Sequence, residues 1–261
     1  MDPTTILAAI LAGAIIGFIL GMVGGGGSIL AVPLLIYVVG VDSTHTAIGT
    51  AAVAVALNAA IGLAVHIRGG NVKWSCALVF AAFAVIGAAL GAELGKSVDG
   101  ASLLALFALL MIGVGALTIR ERKGGSNPDV RLQRSTAGVL LPKLVPAGFA
   151  VGGFSGFFGI GGGFLIVPGL IGATAMPIAA AISSSLLVIT AVGTTTALSY
   201  ALSGYVDWLL VAYLGLGGVL GAAAGKFALT RVSAKGRAME IGFGALVVAV
   251  GSAILISEYV L

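Results

Sequence analysis

Ten apolar segments, each followed by a short connector, make up nearly the whole of this 261-residue chain. Most of them approach the roughly 20 residues that a helix needs to cross the hydrocarbon core of a bilayer. Lys, Arg, Asp and Glu together form only 8% of the chain, against about 25% in soluble domains. We therefore predict an all-α integral membrane protein with no room for a soluble catalytic domain, and hence no enzyme.

The ten segments divide into two groups of five. Their limits in the sequence are 5–23, 28–40, 44–66, 73–95 and 101–119, then 143–158, 164–174, 178–203, 206–229 and 236–257. Between the groups lies a charged stretch with Gly, Ser, Asn and Pro, which is typical of a solvated linker. The predicted organisation is a first membrane repeat over residues 1–120, a cytoplasmic linker over 121–142 and a second membrane repeat over 143–261.

The two halves also repeat each other in sequence. Pro33 recurs 135 positions later as Pro168, and Trp74 recurs 134 positions later as Trp208. Several glycines and alanines recur at the same two offsets. Because paired Pro and Trp positions are hard to obtain by chance in a Gly/Ala-rich chain, we interpret the halves as an internal duplication.

The distribution of basic residues predicts the orientation. Twelve of the 13 Lys and Arg residues fall in the stretches 68–73, 120–143 and 226–237, and only Lys96 lies elsewhere. Basic residues near membrane helices stay on the cytoplasmic side, which places these stretches inside and both termini outside. Five segments per half is an odd number, so the second repeat is expected to be inverted relative to the first, as in many secondary transporters.

Each half contains a contiguous glycine run shortly before its proline. Glycine costs a helix about 1 kcal/mol relative to alanine, so a broken or re-entrant helix is expected at each run. Such backbone is tolerated at membrane depth only where it is buried in protein or lines a polar cavity, and helix N-termini bind anions. The candidate substrate-binding residues here are Gly24, Gly25, Gly26, Gly27, Ser28, Gly159, Gly161, Gly162 and Gly163.

Helix packing is the alternative role for glycine. Several glycines recur every four residues, which is the spacing of small residues at close contacts between membrane helices. These stripes are Gly13, Gly17, Gly21 and Gly25; Gly148, Gly152 and Gly156; Gly87, Gly91 and Gly95; and Gly217, Gly221 and Gly225. We expect the stripes to serve packing, and the contiguous runs to mark a site, because interrupted helices at matching positions of two halves point to one.

Hydroxyl side chains follow the glycine runs in both halves. They can donate to the oxygens of an anion, or to a carbonyl one turn back in their own helix. Thr50, Ser183 and Ser184 occupy matching repeat positions and are predicted to bind substrate. The other hydroxyls of the apolar segment 178–203 are expected to be structural: Ser185, Thr190, Thr194, Thr195 and Thr196.

Among the acidic residues, Glu93 and Glu240 fall within the apolar segments, both near segment ends. Cation or proton transport usually shows as a buried carboxylate, so the predicted cargo is a small anion, without cofactor or metal and without nucleic acid as a partner. A channel-like or cation-coupled carrier that uses Glu93 or Glu240 is one alternative, and a scaffold that transports nothing is another. His45 and His66 are interpreted as residues of the membrane interface.

Particular stretches resemble a known family. GFILGMVGGGGSILAVPLL and its second copy GGFSGFFGIGGGFLIVPGL are followed by AIGT and AISSS, and then by GNVKW and GYVDW. This doubled pattern is similar to the TauE/SafE sulfite exporter family of membrane permeases. The resemblance implies transport of sulfur-containing anions such as sulfite, thiosulfate or organosulfonates, and of related small organic acids, across the bacterial cytoplasmic membrane. Where the family pattern has Thr-Ser, this chain has Thr50-Ala51 and Ser183-Ser184.

The sequence thus predicts a multi-pass permease of the bacterial inner membrane that moves a small anion by alternating access. Its expected partners are the anionic substrate and the lipid bilayer, and a homo-oligomer is compatible with the sequence. The nature of the anion, the direction of transport and the coupling ion stay open.

Overall fold

The computed structural model describes residues 2–23, 25–67, 71–119, 130–161, 163–232 and 236–260, and every regular element in these ranges is helical. In the first half, the long helices are α1 (Pro3–Val23), α3 (Thr44–Ile67), α4 (Trp74–Lys96) and α5 (Gly100–Ile119). In the second half they are α6 (Ala137–Phe157), α8 (Ile178–Leu202), α9 (Trp208–Val232) and α10 (Gly236–Val260).

A shorter helical element follows the first long helix of each half. In the first half it consists of a 3-10 helix over Gly25–Leu30, one α turn, α2 (Ala31–Leu34), and a π turn over Leu35–Val39. In the second half it is the 12-residue helix α7 (Gly163–Thr174). The ten predicted segments are therefore helical at the expected places.

The described part of the chain contains seven helices that are long and apolar enough to cross a membrane, and further apolar helices that are shorter. Their outward surfaces carry many large apolar side chains, for example Leu7, Leu90 and Leu220, which are 59%, 55% and 68% exposed. Contact of such apolar surfaces with lipid carries no free-energy cost, whereas their exposure to water is unfavourable. The prediction of an all-α, multi-pass membrane protein is confirmed.

The start of α6 differs from the sequence-based limit. Residues 137–142, placed in the linker because of neighbouring charge and proline, form the first turns of this helix. Leu140 and Leu144 are buried while Leu141 and Lys143 are exposed, so an apolar face holds the helix start although Pro142 cannot donate a backbone hydrogen bond.

Two pairs of helices from opposite halves lie side by side and run in the same direction. In the pair α1 and α9, an added Cβ at Gly17 would collide with the backbone of Gly218. In the pair α4 and α6, a Cβ at Gly152 would collide with the backbone of Ala84. These are the contacts that the glycine stripes predict, with helix backbones touching at the small residues.

Glycines of the partner helices α9 and α4 make the reciprocal contacts. A Cβ at Gly221 of α9 would meet the backbone of Ala14, and a Cβ at Gly87 of α4 would meet that of Phe149. Both helices of each pair therefore carry glycine notches, that is, positions where the missing side chain lets the backbone of the partner helix approach. The packing interpretation of the stripes is confirmed at these positions.

Two further pairs run antiparallel. α3 packs on α8, with Gly49 against Tyr200 and Gly193 against Ala56, and α5 packs on α10, with Gly115 near Val248. The helices α3 and α8 are the most buried of the membrane-spanning candidates. The centre of the bundle is thus formed by these two helices; the 3-10 helix over Gly25–Leu30 contacts both of them, and α7 packs on α8.

Substitution of a notch glycine tests this packing. We expect Gly152→Val to destabilise the folded protein by at least the ~1–3 kcal/mol typical of overpacking, because the side chain would enter the backbone of Ala84. Gly113→Ala is the matched control, since nothing lies within 4 Å of its added Cβ and alanine favours the helix. Thermal unfolding in detergent measures both, and equal stability of the two variants would contradict the packing.

Candidate functional site

The second glycine run forms a buried loop against the central helices. Gly159 and Gly161 have φ values of 62° and 64°, a region that side chains with a Cβ rarely adopt. Added Cβ atoms would meet Ile48 at the first position and, at 2.8 Å, Val55 at the second. The loop leads into the N-terminus of α7 at the buried Gly163. Gly162, also predicted for the site, lies outside the described residues.

The first glycine run lies against α1. An added Cβ at Gly27 would lie 2.5 Å from the carbonyl oxygen of Ile16 and 2.6 Å from the backbone nitrogen of Leu20. Ser28 is fully buried. Gly25 and Gly26 open the 3-10 helix, and Gly24 lies outside the described residues. Both runs thus hold buried backbone. The 3-10 helix of the first run packs on α1 and α7 and also contacts α3 and α8, the helices on which the second run packs.

Two of the three predicted hydroxyls bind backbone amides of the opposite half. Thr50 Oγ1 on α3 accepts a hydrogen bond of 3.1 Å from the backbone N–H of Asp207, just before α9. Ser184 Oγ on α8 accepts one of 2.9 Å from the backbone N–H of Lys73, just before α4. Positions 50 and 184 differ by 134, as do positions 73 and 207, so the two contacts are equivalent in the duplicated sequence.

These contacts separate the three predicted hydroxyls into two kinds. A hydroxyl that accepts from an amide keeps its own proton for another acceptor, which is the case for Thr50 and Ser184, each 0% exposed. Ser183 Oγ instead donates to the carbonyl oxygen of Ala179 at 3.0 Å. The proton of Ser183 is therefore engaged within its own helix, while those of Thr50 and Ser184 have no acceptor among the described residues.

Most other hydroxyls of α8 behave as predicted for structural groups. Thr190, Thr194 and Thr195 donate to carbonyl oxygens four residues back at 2.7–2.9 Å, and Ser185 donates to the carbonyl of Ile182. Thr196 is the exception, because its buried Oγ1 has no hydrogen-bond partner among the described residues.

Two more polar atoms share this property, and sequence reasoning missed them. The Nδ1 atom of His45 and the hydroxyl of Tyr200 are buried without a partner in the described part of the chain. The ring centroids of His45 and Tyr200 lie 6.4 Å apart. The spacing of Thr196 and Tyr200 by four residues on one helix face could have indicated this cluster from the sequence.

Acidic groups near the spans are already engaged. Glu93, with 66% of its side chain exposed, pairs with Lys96 at 2.8 Å and accepts from Ser199 at 2.8 Å. Asp207 Oδ1 accepts from two amides of α9. Asp99 accepts from the backbone N–H of Ser102 at 2.9 Å, and this hydrogen bond holds its pKa below the ordinary value.

The cation-carrier alternative finds no support in this arrangement. Glu93 faces the surface as half of an ion pair rather than an interior pathway, and the side chain of Glu240 lies outside the described residues. The described residues contain no group of three His, Cys, Asp or Glu side chains that could hold a metal ion.

An open cavity of about 440 Å³ lies beside the start of α6. Its walls come from residues 130–136, the first turns of α6 and the end of α7 with the following Ala175. Arg131 and Lys143 contribute positive charge, and Gln133 contributes an amide. The cavity is basic and lies on the side of the linker, away from the glycine loop.

The sequence profile described as Sulfite exporter TauE/SafE matches residues 9–254. The chain belongs to the TauE/SafE sulfite exporter family. A "Probable membrane transporter protein" of Xylella fastidiosa (strain 9a5c) is 45% identical, with 96% of this chain and 95% of the relative aligned. "Probable membrane transporter protein YdhB" of Bacillus subtilis (strain 168) is 30% identical over 81% of this chain and 85% of the relative.

A further relative, from Haemophilus influenzae (strain ATCC 51907 / DSM 11121 / KW20 / Rd), bears the same general name and is 27% identical over 90% of both chains. No solved structure matches the chain significantly. TauE/SafE family membership makes this protein a multi-pass membrane transporter and not an enzyme. The names of these relatives state no substrate.

The exchanged hydroxyl–amide contacts give a reciprocal prediction. Replacing Thr50 by Val removes the acceptor of the Asp207 amide and should cost about 0.5–1.5 kcal/mol. Hydrogen exchange of that amide should accelerate while the amide of Lys73 is unaffected, and Ser184→Ala should show the reverse pattern. Thr50→Ser, which keeps the hydroxyl, is the control. Unchanged exchange at both amides in both variants would contradict the contacts.

Proposed function

We propose that this transporter, built from two inverted repeats, moves a small anion, a sulfur-containing oxyanion or organosulfonate such as sulfite, across the bacterial inner membrane by alternating access. The observation that carries the proposal is that two buried hydroxyls at equivalent positions of the two halves, Thr50 and Ser184, accept from backbone amides and keep their own protons available. Family membership supports the substrate class through the family's description alone.

The helix directions support inverted repeats. Sequence-equivalent helices run in opposite directions where they touch, namely α3 against α8 and α5 against α10. The parallel pairs exchange partners symmetrically, because α1 packs on α9 while their equivalents α6 and α4 pack on each other. A two-fold axis in the membrane plane relates repeats of this kind. It would place the two termini on one side, outside, and the basic connectors on the other.

The chemistry of the buried groups favours an anion. The proposed first-half donors are the backbone of Gly24, Gly25, Gly26 and Gly27 with Ser28 and Thr50. Those of the second half are the backbone of Gly159, Gly161, Gly162 and Gly163 with Ser184, whereas Ser183 is left out because its proton is engaged with Ala179. The loop before α7 ends at a helix N-terminus, where backbone N–H groups and the helix dipole attract negative charge. Among Glu93, Asp99 and Asp207, none offers a free carboxylate to a cation.

The packing constrains which parts can move. Helices in backbone contact, such as α1 with α9, cannot separate without exposing notched surfaces. The moving bodies are therefore mixed, each built around one parallel pair with a helix from either half, rather than the two sequence halves. The α3–α8 contact lies between these bodies, and we propose that the anion passes there from one side to the other.

Flux in proteoliposomes tests the function. Uptake of ³⁵S-labelled sulfite should saturate with concentration, and thiosulfate or an alkyl sulfonate should compete with it. Glu93→Gln should retain this uptake, because the carboxylate lies in a surface ion pair. Absence of saturable uptake for any of these anions would overturn the proposal, and cation flux that is lost in Glu93→Gln would favour the alternative carrier.

The glycine loop gives a second test. Gly161→Ala places a Cβ at a φ of 64° and 2.8 Å from Val55, so the loop must shift, at a cost of order 1–2 kcal/mol from the left-handed conformation. We expect anion uptake to be lost while the folded protein is still obtained. Gly172→Ala, with nothing within 4 Å, is the control. Unchanged uptake in Gly161→Ala would exclude the loop from the site.

A further inference from the structure

We propose that His45, Thr196 and Tyr200 form a second binding site for the same oxyanion, between the glycine loop and the outer face. This inference rests on the proposed function. Its basis is a group of buried polar atoms that have no hydrogen-bond partner within the described part of the chain: His45 Nδ1, Thr196 Oγ1 and Tyr200 OH.

The first step is energetic. Thr196 and Tyr200 are both 0% exposed, and a buried polar group without a hydrogen bond costs about 1–3 kcal/mol. Thr195 donates its hydroxyl proton to the carbonyl oxygen four residues back. The same bond is open to Thr196 by its position in the helix, yet Thr196 does not form it. A polar guest that completes the hydrogen bonds of these three groups would remove this cost.

The second step is that the groups converge. Tyr200 follows Thr196 by one helical turn, and long side chains on a helix lean back over the preceding turn, so the Tyr200 ring covers the turn that carries Thr196. The ring of His45 lies 6.4 Å from that of Tyr200 and 5.4 Å from that of Tyr205. The donors therefore occupy one aromatic-walled region at the start of α3 and the end of α8.

The third step is position. Ile48, three residues after His45, touches the loop at Gly159, and Gly193, three residues before Thr196, lies 4.0 Å from a Cβ built at Gly161. The cluster is thus about one turn further along α3 and α8 than the glycine loop. His45 itself is only half-buried, so it connects the buried hydroxyls with the surface.

The fourth step is the chemical class of the guest. Hydroxyls and a neutral imidazole N–H can all donate, and the nearby Glu93 is engaged with Lys96 and Ser199. Three converging donors suit an oxyanion with three acceptor oxygens, such as sulfite or a sulfonate. A single buried water is the competing occupant, and it would need only two to four of the same contacts.

Conservative variants test the second site. Tyr200→Phe and Thr196→Val each remove one donor to a charged guest, and we expect each to raise the KM for ³⁵S-sulfite about tenfold. Thr195→Val, whose hydroxyl is engaged within α8, and Tyr37→Phe, whose hydroxyl pairs with Ser257, are the controls and should leave KM unchanged. Thr196→Ser keeps the hydroxyl, and its KM should stay at the wild-type value.

A second readout separates this inference from the proposed function. Sulfite should raise the melting temperature of the wild type in detergent, and this shift should shrink in Tyr200→Phe and Thr196→Val but not in the controls. Wild-type flux with unchanged KM and melting shift in both variants would overturn the site alone and leave water as its occupant. Absence of wild-type flux would overturn the proposed function, and the melting shift would then decide the site by itself.

Discussion

Direct contact between helix backbones is the constraint on which this structure depends. Lipid supplies no hydrophobic force to press helices together, so association relies on close packing and hydrogen bonds. The notches at Gly17 and Gly152 bring α1 onto α9 and α6 onto α4 until backbone meets backbone. Because each pair joins one helix from either half, neither half has its full set of packing partners without the other.

The polar contacts follow the same exchange. Thr50 binds an amide 157 positions away, and Ser184 binds one 111 positions away. Each contact anchors the connector in front of a notched helix of the opposite half. Packing and hydrogen bonding therefore fix the same arrangement.

Much of the fold could be predicted from the sequence because the bilayer imposes the length and apolarity of each helix. The stripe containing Gly152 predicted a close helix contact, although its partner could only be found in three dimensions. The sequence-based limit lies inside α6 because clustered charge extends the predicted linker to residue 142, while burial of Leu140 and Leu144 favours a helix from Ala137.

The candidate site was less predictable for a physical reason. A hydroxyl in an apolar helix can bond to its own backbone or to a distant group, and the sequence does not tell which. Thr195 and Thr196 are neighbours of identical chemistry, yet one donates to Ala191 and the other has no partner among the described residues. The distinction depends on Tyr200 and on His45 from another helix, and only the folded arrangement reveals it.

Labelling from one side of the membrane tests the inversion of the two halves most directly. Asn71 and Ser203 lie in the equivalent connectors α3–α4 and α8–α9, and both are exposed. In a Cys76→Ala background, a membrane-impermeant maleimide should label Ser203→Cys in intact spheroplasts and Asn71→Cys only after permeabilisation. Labelling of both positions from the same side would contradict inverted repeats and the transport cycle built on them.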